Sequence, residues 1–201
     1  NYNKKNAFNI LIFGGSLGSE FFSTKIPKAL CCLDKDIKKK LNITHQVTAC
    51  KKKLVKKNYL SNNISSNVDT FFNDIYKHYI KADLIICRAG GTTLAEIISL
   101  KIPSIIIPFQ NSLDDHQSIN SDIISKNKVG WVINEKEFKL NEFNLIIKKL
   151  ILNRNIIKNI KNKFLILEKK NNKLLKNNSP NEVLFRSICS TLNHNIIKKR
   201  V

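Results

Sequence analysis

The 201-residue sequence predicts an α/β fold, a doubly wound parallel sheet of Rossmann-like architecture. Three observations predict it. Short, nearly all-apolar runs alternate with longer segments whose apolar residues recur near every 3.6 positions, the pattern of strands buried between two helical layers. Glycine is scarce, with six residues in the chain, yet five of the six sit in two clusters directly after apolar runs, Gly14-Gly15-x-x-Gly18 and Gly90-Gly91. The length suits one domain with a core large enough to stand without staples.

Each element follows in order. Residues 8–13 (FNILIF) read as a buried strand running into a tight turn, and 20–33 as a helix. A second strand fits 44–50 (THQVTAC), followed by a Lys-rich helix or loop over 51–61. A third strand fits 66–71 and a short helix 74–81. Residues 83–87 (DLIIC) are a fourth strand that stops at Gly90-Gly91, with a helix from Thr92 to about Leu100. Pro103 and Pro108 bracket a fifth strand at 104–107 (SIII). A polar loop and a helix over 114–127 precede a sixth strand at 129–133 (VGWVI). From 140 onward the pattern is helical, with Pro180 opening the last helix. The Lys/Asn-rich stretch 153–178 still repeats Ile156, Ile157, Ile160, Phe164, Leu165 and Leu167, so it reads as helix and not linker.

Composition excludes several classes. With 42% hydrophobic and 25% charged residues the chain is neither disordered nor collagen-like. No apolar run approaches the ~20 residues of a membrane helix, and no signal peptide is visible. Five cysteines, an odd count without CxxC, argue for reduced thiols in a cytosolic protein, against a disulfide scaffold or a zinc site. The chain lacks methionine and begins at Asn1, which reads as a trimmed, processed or partial chain. The net charge of +20 raises nucleic acid or an anionic membrane as partners. Heavy use of Lys, Asn and Ile, all with A/T-rich codons, gives base composition as the plainer source. Residues 1–67 carry net +10, 68–140 net −1 and 141–201 net +11, so the basic excess avoids the motif-bearing middle. Aromatic residues do not interleave with the lysines, so no nucleic acid is expected as partner.

Both glycine turns follow a strand and precede a helix, where backbone N–H groups and the helix dipole favour an anion. Ser16 adds a hydroxyl to the first turn. Phosphate binding is the reading, against two ordinary tight connections. No GK[ST] and no GxGxxG is present, which excludes a Walker loop and a standard dinucleotide fingerprint. Glu96, in RAGGTTLAE (88–96), has the height to accept from a ribose diol, or it complements the helix dipole. Arg88 ends a strand as an anion clamp or as a surface cation. In the loop 108–120, Gln110, Asp114, Asp115, His116, Gln117 and Asn120 offer partners to a hydroxyl-rich ligand. Asp114 and Asp115 fit a helix start better than a metal. His116 is a general base or, more simply, a solvent-facing loop histidine. Phe71 and Phe72 pack beside a base or in the core. No GxSxG or other nucleophile–base motif occurs.

GGSLGS (14–19), ADLIICRAGGTTLAEIISLKIPSIIIPF (82–109) and DDHQSIN (114–120), in this order and spacing, resemble the C-terminal domain of MurG-type glycosyltransferases. These are bacterial enzymes that move N-acetylglucosamine from UDP-GlcNAc onto lipid I, giving lipid II for peptidoglycan. The resemblance covers most of residues 8–135. It implies one half of a GT-B glycosyltransferase, inverting and without metal or other cofactor, peripheral at the cytoplasmic face of the membrane. It implies that residues 1–7 end an interdomain linker and that 8–201 are the donor-binding domain. The acceptor-binding N-terminal domain, which would carry the catalytic base and meet lipid I, is absent from this sequence. By motif, Ser16 contacts the diphosphate and Phe72 holds uracil through its main chain. Gly91, Thr92, Thr93, Leu94, Ala95 and Glu96 form the donor loop and helix start, with Glu96 on the ribose. Gln117 meets sugar hydroxyls; Gly15, Arg88 and Asn120 support the site. Leu17 and Ser19 depart from the Gln and Ala that the family often has, which bears on a diphosphate or acceptor contact. Two other readings stand beside this one: a freestanding donor-binding subunit of a two-component transferase, and a basic non-enzymatic module for membrane or nucleic acid.

Overall fold

The computed structural model describes residues 7–15, 18–109 and 116–174. Six parallel strands form one sheet in the order β3-β2-β1-β4-β5-β6. They are β1 Phe8–Phe13, β2 Leu41–Gln46, β3 Ser65–Asp69, β4 Leu84–Cys87, β5 Ser104–Ile106 and β6 Gly130–Val132. The helices are α1 Glu20–Cys31, α2 Lys35–Lys38, α3 Lys52–Ser61, α4 Tyr76–Lys81, α5 Gly91–Leu100, α6 His116–Lys126, α7 Leu140–Leu152 and α8 Arg154–Leu174. The doubly wound parallel sheet expected from the sequence is the fold found.

Alternation along β1 builds both cores. Phe8, Ile10 and Ile12 face one layer with Phe22 and Ile26 of α1, Val55 and Tyr59 of α3, and Phe143 and Ile147 of α7. Leu11 and Phe13 face the other, with Tyr79 of α4, Leu94 and Ile97 of α5, Ile124 of α6, and Ile160 and Phe164 of α8. Both faces are covered, so β1 and β4 are apolar nearly throughout, as parallel strands require.

The first crossovers run outward from β1 through β2 to β3, and the later ones from β4 through β5 to β6. The direction of winding therefore reverses between β1 and β4, which are paired in register from Ile10↔Leu84 to Phe13↔Cys87. Strand ends diverge at such a reversal, leaving a crevice beyond their carboxyl ends. The opposite rim is clamped. Arg154, at the start of α8, bonds the Ala7 carbonyl (3.1 Å), pairs with Asp83 (3.0 Å) and lies over the Phe8 ring.

Several boundaries differ from the sequence reading: β3 ends at Asp69 and not 71, and the short helix α2 was not expected. β2 begins at Leu41 and ends at Gln46, because Leu41, Ile43 and His45 form the buried face. The following Ala49–Lys51 is a 3-10 turn and not strand. A second 3-10 turn, Glu135–Glu137, follows β6 where the sequence signals nothing regular. The expected helix opened by Pro180 lies outside the described residues.

Candidate functional site

The chain leaves β1 and β4 at register partners, Phe13 and Cys87, and each departure is a glycine turn. The turns therefore lie side by side over the crevice. A cavity of about 530 Å³ opens there, walled by Phe13, Gly14, Gly15, Gly18, Ser19, Glu20, Phe21, Arg88, Gly90, Thr93, Phe109, Gln117 and Glu135.

The two turns use glycine for different reasons. Gly15 (φ +107°) and Gly18 (φ +74°) occupy the left-handed region that L side chains rarely adopt. A Cβ on Gly14 would come within 2.6 Å of the Ser19 Cβ. The second turn has no such constraint. Gly90 is extended (φ −66°, ψ 136°), and a Cβ on it would meet nothing closer than Thr93 Oγ1 at 3.6 Å. A Cβ on Gly91 would find Asn120 Nδ2 at 4.0 Å and nothing nearer. The protein's own packing leaves room there, and that room faces the crevice.

Gly90 is the N-cap of α5 and supplies no side-chain cap. The Leu94 N–H already bonds the Gly90 carbonyl (2.9 Å). The first-turn donors outside the helical ladder are thus the N–H groups of Gly91, Thr92 and Thr93, at the positive end of the helix dipole. Leu94 and Ala95 are buried, and Leu94 packs in the core under α5.

Glu96 lies one turn further along α5 and is half-buried. The Tyr79 hydroxyl is beside it and Thr93. Burial first, then the Glu96 carboxylate, push the Tyr79 phenol well above its ordinary range, so it stays protonated. Burial raises the Cys87 thiol in the same way, again with Glu96 adding to it. This corner therefore holds an acid among neutral donors. Gln117, on α6, accepts from the Phe109 N–H (2.8 Å), and Asn120 donates to the Ala89 carbonyl (3.2 Å). α6 is thereby tied to the ends of both β4 and β5.

Of the expected site residues, Gly15, Arg88, Thr93 and Gln117 share the cavity wall. Gly91, Thr92, Glu96 and Asn120 are not on that wall; they lie on α5 and α6, the helices that carry Thr93 and Gln117. Phe72 sits off that wall, after β3, with its ring against His78 at 4.8 Å between centroids; Phe71 beside it is exposed. Ser16, Gln110, Asp114, Asp115 and the His116 side chain lie outside the described residues.

Arg88 is 8% exposed, so it is not a surface cation. One guanidinium nitrogen, Nη1, donates to the carbonyls of Ile107 (3.2 Å) and Pro108 (3.1 Å) and to the Glu135 carboxylate. The other, Nη2, donates to Ser19 Oγ (3.0 Å). The rings of Phe21, Phe22 and Phe109 surround it at 5.9, 5.0 and 5.2 Å. Arg88 thus fastens the start of α1 to the ends of β5 and β6. Sequence reasoning missed Ser19 and Glu135 as members of this site. An arginine ending a buried strand signals that some acid must come to it, but not which one.

Comparisons with known proteins agree with this geometry. Residues 9–178 match the model of the glycosyltransferase family 28 C-terminal domain. A Rickettsia bellii protein named UDP-N-acetylglucosamine–N-acetylmuramyl-(pentapeptide) pyrophosphoryl-undecaprenol N-acetylglucosamine transferase is 33% identical over 175 residues, 87% of this chain and 49% of the relative. A protein of the same name from Myxococcus xanthus is 40% identical over 114 residues, 57% of this chain and 30% of the relative. Among solved structures, Acinetobacter baumannii MurG superposes with a TM-score of 0.70 at 29% identity, over 79% of this chain and 45% of that one. The glycosyltransferase WaaG shares the fold at a TM-score of 0.58 and 18% identity, over 80% of this chain and 42% of that one. The chain spans about half the length of the curated relatives it matches. With a doubly wound sheet, two glycine turns at its switch point and a family match over nearly all described residues, the chain belongs to the glycosyltransferase family 28 C-terminal domain family.

Proposed function

We propose that this chain is the donor half of an inverting, UDP-GlcNAc-dependent glycosyltransferase that transfers N-acetylglucosamine to lipid I, giving lipid II in peptidoglycan synthesis. The observation that carries the reading is the pairing of Phe13 with Cys87, which sets both glycine turns over one cavity. A diphosphate there meets the backbone N–H groups of the first turn and of Gly91, Thr92 and Thr93. Those of Gly91, Thr92 and Thr93 are held by α5, so they stabilise charge that develops on the leaving UDP with little reorganisation. Glu96 accepts from the ribose hydroxyls, the main chain at Phe72 holds uracil, and Gln117 orients the sugar. Ser16 adds its hydroxyl to the diphosphate. The acceptor and the base that deprotonates it belong to a second half. The names borne by the Rickettsia bellii and Myxococcus xanthus relatives support the same donor and acceptor.

Among the described residues no helix is long and apolar enough to cross a membrane. A peripheral place at the cytoplasmic face of an anionic bilayer, where the lipid-borne acceptor resides, fits the basic surface of α3. That helix exposes Lys53, Lys56 and Lys57 together with Leu54 and Leu60.

The test is calorimetric titration of the 201-residue chain. UDP-GlcNAc and UDP bind, and Glu96→Ala weakens UDP about tenfold or more, the loss of a charged hydrogen-bond acceptor, while pyrophosphate is nearly unaffected. Absence of binding at millimolar UDP-GlcNAc by a folded chain refutes the donor-half reading.

A further inference from the structure

A buried guanidinium beside two phosphate-binding turns looks like an anion clamp, but its counterion is already in place. Arg88 carries one positive charge; the Glu135 carboxylate, with its side chain 30% exposed, bonds the same Nη1 that reaches two backbone carbonyls. The remaining contact, to Ser19, is to a neutral hydroxyl. Three aromatic rings keep water from the guanidinium, so the pair is held in a low-dielectric setting in which a lone cation would be unfavourable. Glu135 also lines the cavity, on the same wall as Gly14, Gly15 and Gly90. An anion in the cavity therefore meets a fixed carboxylate, not a free arginine.

We propose that Glu135 is a specificity-determining residue of the donor site: its carboxylate neutralises Arg88 and disfavours the more highly charged product, UDP, relative to the sugar nucleotide. This rests on the donor-half reading above. UDP has a terminal phosphate that loses a second proton near pH 6, whereas in UDP-GlcNAc that oxygen is esterified. The product thus carries one more negative charge than the donor at neutral pH. A carboxylate facing the diphosphate acts more strongly on the product and eases its release. Binding itself is left to the amides of the two turns, which are neutral and serve donor and product alike.

The magnitude follows from Coulomb's law. A unit charge about 8 Å from an anion changes its affinity by about twofold per unit of ligand charge, even at the dielectric constant of water. Removing the Glu135 charge is therefore expected to tighten UDP by about tenfold and UDP-GlcNAc by about fivefold, moving their affinity ratio about twofold toward the product.

The experiment titrates the full chain and its Glu135→Gln, Glu135→Asp and Glu137→Gln variants with UDP, UDP-GlcNAc, pyrophosphate and uridine at low salt. Glu135→Gln tightens UDP and pyrophosphate and raises the preference for UDP over UDP-GlcNAc, with uridine unchanged. Glu135→Asp keeps the charge and the wild-type ratio. Glu137→Gln removes the same formal charge two residues away, from a side chain that does not line the cavity, and moves the ratio by less. A fraction of unfolded protein lowers the binding stoichiometry for both nucleotides alike, so the ratio is still read if the ion pair supports folding. Unchanged or weaker UDP binding by Glu135→Gln, an equal gain for uridine, or the same shift in Glu137→Gln overturns the proposal. If the wild-type chain binds pyrophosphate but neither nucleotide, the donor-half reading fails by itself, and the pyrophosphate arm still decides the role of Glu135.

Discussion

Gly91 is a place where the chain forgoes a side chain that its own packing would accept. It stands at the first position of α5, with a negative φ and open space where a Cβ would go. Alanine there favours the helix by up to about 1 kcal/mol, so structure alone gives no reason for glycine. A ligand that must approach the backbone does. The expected behaviour of Gly91→Ala is therefore split: a thermal midpoint equal to or above wild type, and affinity for UDP-GlcNAc lower by about tenfold or more, about 1.4 kcal/mol. Differential scanning calorimetry and titration on the same sample check both halves. Full binding by a folded Gly91→Ala would mean that no ligand comes close to this amide. Gly15→Ala is not an equivalent probe, because its φ of +107° would make the loss one of backbone strain.

At the scale of elements, a buried polar contact joins β2 to α3. His45 and Tyr59 are each 0% exposed, and Nδ1 lies 2.8 Å from the phenol oxygen. Burial is the main cause that moves the His45 pKa down to about 3, with the Phe22 carbonyl opposing it. Unfolded histidine takes its proton near pH 6.5. Between that pH and about 3, the unfolded chain holds a proton that the folded chain refuses, so stability falls as the solution is acidified. The slope is about 1.4 kcal/mol per pH unit, or about 2 kcal/mol between pH 7 and 5. Urea midpoints at the two pH values measure it. His45→Gln removes this slope, whereas Tyr59→Phe lowers stability by about 1 kcal/mol at both pH values and keeps it. A wild-type midpoint that does not move between pH 7 and 5 contradicts a buried neutral imidazole. The same strand shows what was legible. β1, β4 and β5 are short apolar runs bounded by glycine or proline, and their identity as strands can be read from the sequence. β2 alternates, and its first apolar residue, Leu41, directly follows Lys38–Lys40, so the lysines conceal its start. The glycine turns were legible because they interrupt buried strands. The pairing of Arg88 with Glu135 was not, since the two are 47 positions apart and only the folding of β5 and β6 beside β4 brings them together.

Over the whole molecule, the basic excess concentrates on two helices, α3 and α8. α3, on the layer with α1 and α7, has four lysines and no acid, and its apolar Leu54 and Leu60 are 53% and 75% exposed. On the opposite layer, α4, α5 and α6 set Lys77, Lys81 and Lys126 against Glu96 and Asp122, while α8 carries seven basic residues against Glu168. A single-stranded nucleic acid has no use for exposed leucines and would want exposed aromatics to stack on, whereas the aromatic of α3, Tyr59, is buried. An anionic lipid surface takes both features, with ammonium groups among the headgroups and leucines in the interface. Because α3 flanks the sheet, docking through it leaves the crevice beyond the strand ends open. Each lysine near such a surface contributes about 1 kcal/mol, so Lys53, Lys56 and Lys57 together favour anionic over neutral vesicles by about a hundredfold at low salt. Co-sedimentation with phosphatidylcholine vesicles, with and without phosphatidylglycerol, measures that preference. It falls as salt rises toward a Debye length of about 8 Å, and reversing the three charges to glutamate reduces it by about a hundredfold or more at low salt. Leu54→Asn with Leu60→Asn weakens binding to both kinds of vesicle while leaving UDP affinity intact. Equal binding by the charge-reversed chain, or stronger binding to duplex DNA than to anionic vesicles, removes α3 as the membrane-facing surface.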